Sequence, residues 1–123
     1  MPNICFNNCK VEGDKISIQN LYTNVNSNNM LLQVLCGLET APEQPHEVFG
    51  TRSECFNLHV VDFQLTEDEA YIEFDFETAW EPPLLAYTSF IKEHISCSIT
   101  ATYDEWGNSV HGDWTACDGG RNI

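Results

Sequence analysis

From Tyr71 to Glu77 the chain alternates strictly: Ile72, Phe74 and Phe76 take every second position, and Glu73, Asp75 and Glu77 take the positions between. Successive side chains of a strand point to opposite faces. The spacing therefore predicts a half-buried strand with three apolar residues on a core and three carboxylates in a row on the other face, roughly 6.6 Å apart. Cys55 to Phe63, rich in aromatic and β-branched residues, predicts the preceding strand, and Thr66-Glu67-Asp68-Glu69 the polar turn of a β-hairpin.

The same patterning organises the rest of the chain. Ile4 to Val11 predicts an opening strand closed by a turn at Glu12-Gly13-Asp14. Ile18, Leu21, Tyr22 and Val25 recur at helical spacing, an Asn/Ser cluster runs from Asn24 to Asn29, and apolar Met30 to Leu35 follows. That order predicts a first helix with a break, or a short helix followed by a buried segment. Glu39 to Pro45 is expected to be a loop. Pro82 and Pro83 suit a first helical turn, where missing amide donors cost little. With Leu84, Leu85, Tyr87, Thr88, Ile91 and His94 behind them, they predict a helix from about Pro82 to Glu93. Cys97 to Asp104 alternates as a strand, Glu105 to Asn108 is a turn, Val110 to Ala116 is a final strand, and a frayed tail is expected from Asp118.

Strand, helix, two strands, helix and strand, plus one extra C-terminal strand, is the order of a split βαβ unit. The expected fold is thus α+β and ferredoxin-like: an antiparallel sheet with two helices on one face, in a single domain over residues 1–123. The row of Glu73, Asp75 and Glu77 then belongs on the face left open.

Charge sharpens that expectation. Five Lys and Arg stand against 19 Asp and Glu, for a formal net charge of −14 at pH 7. Such a chain does not hold nucleic acid by itself, because that affinity comes from cationic side chains displacing counterions. Acidic surfaces favour basic partners and speed encounter with them, and a basic partner can itself be a nucleic-acid-binding protein. Between Asp62 and Glu81 lie eight acidic residues and no Lys or Arg. No apolar run reaches bilayer length and no signal region follows Met1-Pro2-Asn3, so a soluble protein of the host-cell cytoplasm is expected.

In a reducing compartment Cys5, Cys9, Cys36, Cys55, Cys97 and Cys117 are expected as free thiols, some of them buried. Cys5-x3-Cys9 with Cys55-x3-His59 supplies four donors for zinc, but residues four apart on a strand lie about 13 Å from each other, too far for one tetrahedral ion without a bend. No metal and no cofactor is expected. The four histidines His46, His59, His94 and His111 lack any catalytic neighbourhood: there is no phosphate loop, nucleophile elbow or paired-histidine motif. His94 is accounted for by its place at the negative end of a helix, and Trp80 by packing at a strand-to-helix corner.

Met1-Pro2-Asn3 with Cys5 and Asn7, then Phe49-Gly50-Thr51-Arg52, then Phe76, Thr78-Ala79-Trp80 and Pro82-Pro83, and last Tyr103, Glu105, Gly107 and Gly112, occur in an order spanning nearly the whole chain. In these residues the chain resembles the YubB-like ferredoxin-like domain family of plasmid and phage proteins. It departs from the family at Ile4, where Trp is usual, and in a shorter central segment. The resemblance implies an accessory protein of a mobile element, with no catalytic residues to carry over.

Taken together, these readings predict a non-enzymatic binding protein, an anti-defence inhibitor of anti-CRISPR or anti-restriction type. Glu73, Asp75, Glu77 and Glu81, helped by Asp62 and by Glu67, Asp68 and Glu69, would stand in for phosphates in the basic channel of a host nucleic-acid-binding protein. The competing expectations are a small metal-dependent or thiol enzyme built on Cys5, Cys9, Cys55 and His59, and a viral structural or assembly factor.

Overall fold

A computed structural model describes residues 4–28, 30–94, 96–105, 110–117 and 121–122. The chain opens with strand β1 (Ile4–Glu12), then helices α1 (Lys15–Asn28), α2 (Leu31–Leu35) and α3 (Pro45–Phe49). The hairpin β2 (Phe56–Leu65) and β3 (Ala70–Ala79) follows, then α4 (Leu84–Glu93), β4 (Ser98–Glu105), β5 (Val110–Cys117) and β6 (Arg121–Asn122). All the strands join one antiparallel sheet in the order β2-β3-β1-β4-β5-β6.

Local chemistry explains most boundaries. Asp14 starts α1 because its carboxylate accepts the Ser17 amide at 2.9 Å, satisfying one of the orphan donors of a first turn. The break expected in the Asn/Ser region is present, between α1 and α2. Met30 offers α2 no side-chain cap, and Glu54 replaces it from a distance: its carboxylate accepts the amides of Leu32 at 2.8 Å and Gln33 at 2.9 Å. Helix α4 begins at Leu84 rather than Pro82. Pro83 disfavours helical geometry at the residue before it, so the double proline leads into the helix from outside.

One C-terminal strand was expected and two are present. Arg121 and Asn122, within the segment expected to fray, pair with Cys117 and Ala116, where the outer side of β5 offers backbone groups that need partners. The expected turn at 105–108 lies largely outside the described residues, as do Met1-Pro2-Asn3 and Gly107.

The core lies on one face of the sheet. Cys9, Val11, Ile72, Phe74, Phe76, Ile99 and Ala101 point from the strands into a cluster with Ile18, Leu21, Val25, Leu31, Leu32, Leu35, Phe49, Ala86, Tyr87, Phe90 and Ile91 from the helices. Thus the register predicted for Ile72, Phe74 and Phe76 holds, and their polar neighbours turn to the opposite face. A shift of one residue would reverse both sets, and burying three carboxylates is prohibitive.

Asn7, Thr51, Arg52, Thr78, Ala79 and Trp80 from the quoted motifs meet where β3 passes into α4. The Asn7 side-chain amide donates to Thr78 Oγ1 at 3.0 Å, Thr78 Oγ1 donates to the Glu81 carbonyl at 2.7 Å, and Thr51 Oγ1 donates to the Ala79 carbonyl at 2.8 Å. The Arg52 guanidinium stands over the Trp80 ring, 5.1 Å from its centroid. Trp80 has a φ of 73°, a left-handed conformation costly for a bulky residue. The hydrogen bonds on both sides of it hold the chain in that corner, so these residues make the turn from β3 into α4.

Candidate binding face

Cross-strand pairing determines which side chains share the open face. On β1 and β3, Lys10 lies opposite Glu73, Asn8 opposite Asp75, and Phe6 opposite Glu77. On β4, Thr102 lies beside Asn8 and Asp104 beside Phe6, and on β5 Asp113 lies beside Thr102. On β2, His59 is opposite Asp75 and Asp62 opposite Glu73. Lys10 is the cation of this face among the described Lys and Arg side chains.

The carboxylate row is a hydrogen-bonded array. Asn8 Nδ2 donates to Glu73 Oε2 at 2.7 Å and to Asp75 Oδ1 at 2.8 Å, bridging two anions with one amide group. Asn57 donates to Glu77, and the Tyr71 hydroxyl donates to Asp62 Oδ2 at 3.0 Å. The Asp62 carboxylate that accepts it holds the Tyr71 proton on and raises its pKa. Lys10 lies over the Tyr71 ring at 4.4 Å and reaches Glu12 at 4.0 Å. Charge-assisted hydrogen bonds of this kind offset part of the repulsion within the row and hold its geometry.

The strands enclose a cleft of about 960 Å³ on this face, lined by Phe6, Asn8, Asn57, His59, Asp75, Glu77, Thr102, Asp104 and Asp113 among others. Phe6, 43% exposed, forms an apolar centre between carboxylates from three strands. Asp104, Asp113, Asn8 and Phe6 were not among the residues singled out from the sequence. Their alternation in single strands was visible, but their nearness to Asp75 and Glu77 depends on long-range strand pairing.

The other candidate residues lie elsewhere. Glu67 pairs with Lys15 at 3.1 Å at the hairpin end of the sheet, beside the exposed Asp68 and Glu69. Glu81 leaves the row, because the chain turns at Trp80 and carries its carboxylate to His46 of α3 at 3.0 Å. The acidic face thus keeps Asp62, Glu73, Asp75 and Glu77 together and separates Glu67, Asp68, Glu69 and Glu81 from them.

The four residues weighed as zinc donors are split between faces. Cys5 and Cys9 point into the core with no exposure and Cys55 is 9% exposed, while His59 is on the open face opposite Asp75. No group of three or more His, Cys, Asp or Glu among the described residues is arranged to hold a metal ion. Burial pushes the thiols up, Cys5 to about 11 and Cys9 and Cys55 to about 12. Burial keeps these thiols in their neutral form at neutral pH. Among the described residues no helix is long and apolar enough to cross a membrane.

No protein-family model matches the chain. No curated protein and no solved structure matches it either.

Proposed function

We propose that this protein acts by binding, and that the open sheet face docks against a basic surface of a protein that handles nucleic acid. Within this reading β1, β2, β3 and β4 with α1 and α4 form a ferredoxin-like split βαβ core, extended along one edge by β5 and β6. The core presents Asp62, Glu73, Asp75, Glu77, Asp104 and Asp113 where a nucleic acid would present phosphates. The observation that carries it is the row of Glu73, Asp75 and Glu77, held outward by the burial of Ile72, Phe74 and Phe76 and aligned by Asn8 and Asn57. Solubility alone does not require carboxylates to be aligned by amide donors around an exposed aromatic ring. An anti-defence inhibitor of a phage or plasmid, of anti-CRISPR or anti-restriction type, is the class of protein that this surface and the family resemblance jointly fit, and it needs no catalytic group.

The test is charge reversal against a matched control. Glu73, Asp75 and Glu77 are changed to Lys in one variant, and the exposed Glu39, Glu43 and Glu93 in another. Glu12 is unsuitable as a control because it lies on the open face, opposite Tyr71 and Ser98. At roughly 1 kcal/mol for each exposed charge contact, the first variant loses on the order of a hundredfold in affinity for a captured partner. Binding falls with rising salt and with added nucleic acid. Equal loss in both variants assigns the effect to bulk charge, and undiminished binding in both removes the proposal.

A further inference from the structure

Strand β2 ends the sheet, pairing with β3 on one side and with no other described strand on the other. Edge strands are commonly blunted by charge, proline, coverage or β-bulges, because their unpaired backbone groups accept another chain. The central part of this one is apolar and open: Val60 is 42% exposed and Val61 52%, with Phe56 at 37%. Val61 is the residue left over where pairing with β3 skips from Val60 to Asp62. Asp62 then blunts the next position, since its carboxylate accepts the Phe63 amide at 2.9 Å. The uncapped stretch therefore runs from Leu58 to Val61, between register irregularities at Phe56/His59 and Val60/Asp62 that bound it on both sides.

The two sides of that stretch differ in chemistry. On the helix side, Tyr22, Val25 and Asn26 of α1 with Leu58, His59, Val60 and Phe63 line a groove of about 440 Å³ in which the apolar side chains are flanked by the Asn26 amide and the His59 imidazole. Tyr22 stacks on Phe63 with ring centroids 4.3 Å apart, which fixes the groove floor. On the open side lie Asp62, Asp75 and the rest of the carboxylate row. A strand added here would place alternate residues over the exposed Val60 side chain and the groove beside it, and next to anions on the other face.

We infer that the edge of β2 accepts an extended segment of the partner in which cationic and apolar residues alternate, adding a strand to the sheet. Backbone hydrogen bonds supply affinity, and the two unlike faces select the side-chain pattern. A second copy of this chain is the poorer occupant, because edge-to-edge pairing would bring two acidic faces together at a net charge of −14 each. The inference rests on the reading of the open face as a contact for basic proteins and adds where and in what conformation the partner is held.

The experiment uses the whole protein and a peptide of roughly eight residues alternating lysine and valine, a typical strand length. A peptide of the same composition with its lysines and valines in separate blocks is the control. Expected are hydrogen-exchange protection of the Leu58 to Val61 amides by the alternating peptide and binding about tenfold weaker for the block peptide. Val61→Pro, at a position unpaired with β3, should weaken binding by a similar factor, and Val61→Lys provides a second variant if the first does not fold. Equal binding of the two peptides, no binding, no protection of the edge amides, or a β2-paired dimer would overturn the inference. If the Lys reversals of Glu73, Asp75 and Glu77 abolish partner binding while Val61→Pro leaves it intact, the edge fails and the acidic face stands. Edge protection by the peptide with no effect of face reversal on partner binding gives the opposite result.

Discussion

Asn8 lies directly across from Asp75 in the β1–β3 pair, and its side-chain amide donates to that carboxylate at 2.8 Å while donating to Glu73 at 2.7 Å. One neutral residue thereby spaces two anions of the acidic face. Asn8→Asp should remove the donor, add a third charge, and destabilise the fold by about 1 to 3 kcal/mol. Added salt should recover part of the loss, since the repulsion lies at a solvated surface. Denaturant unfolding at low and high salt checks this, and a salt-independent loss would show that the missing hydrogen bonds act alone.

Glu54 holds α2 in place of a local cap. Its carboxylate accepts three amides, those of Leu32, Gln33 and Cys55. Glu54→Ala should cost roughly 1 to 2 kcal/mol, in the range of a lost helix cap. Because Leu31, Leu32 and Leu35 carry α2 into the core, hydrogen exchange should speed up in α2 more than in the sheet.

The buried thiols make stability fall in alkali. Burial raises Cys9 from 9.0 to about 12, so unfolding releases a proton at any pH between those values. Its contribution is fully present below pH 9 and is lost as pH rises through the folded value, with a slope of about 1.4 kcal/mol per pH unit. Cys55 adds to the same window. At the acid end Asp14, lowered to about 2 chiefly by the Ser96 hydrogen bond, contributes stability above its ordinary 3.8 that is lost as pH falls through 2. Thermal unfolding across pH measures both limbs. Cys9→Ala should flatten the alkaline one, and an unchanged slope would show that other groups produce it.

Tyr87 is fully buried, with its hydroxyl against the Cys9 thiol and no hydrogen bond of ordinary geometry. Sulfur is a weak partner, so the desolvation of that oxygen is poorly offset. Tyr87→Phe should leave stability unchanged or raise it by up to about 1 kcal/mol. Tyr87→Ala should cost about 3 to 5 kcal/mol, as a large aromatic removed from a core does. A clear loss in Tyr87→Phe would show that the hydroxyl has a partner worth keeping.

Gly50 ends α3 in the left-handed region, at φ 86°. A Cβ there would meet the Leu85 amide nitrogen at 3.1 Å. Gly50→Ala should therefore cost about 1 to 2 kcal/mol from backbone conformation alone. The loss should be greater than for Gly37→Ala, which has a similar φ of 68° and open space at its Cβ. Equal losses at the two sites would leave the packing against α4 without effect.

The alternation of Ile72, Phe74 and Phe76 with three carboxylates was sufficient, without the structure, to place β3, its buried face and its acidic face. Period-two patterning leaves one register compatible with a dry core. Helical spacing likewise marked α1 and α4, because the apolar stripe of a helix is local information. Tertiary pairing alone decided that Asp104 and Asp113 join Glu77 around Phe6, since strands distant in sequence become neighbours only when the sheet forms. It also decided that Glu81 leaves the row: nothing local announces the left-handed turn at Trp80, which Thr51 and Asn7 hold from other parts of the chain. The four residues weighed for zinc show the same limit, for Cys5 and Cys9 share a spacing with Cys55 and His59, yet Cys5 and Cys9 are buried in the core while His59 lies opposite Asp75 on the open face. A sequence specifies the two faces of each strand, and only the assembled sheet specifies which residues of different strands meet on each face.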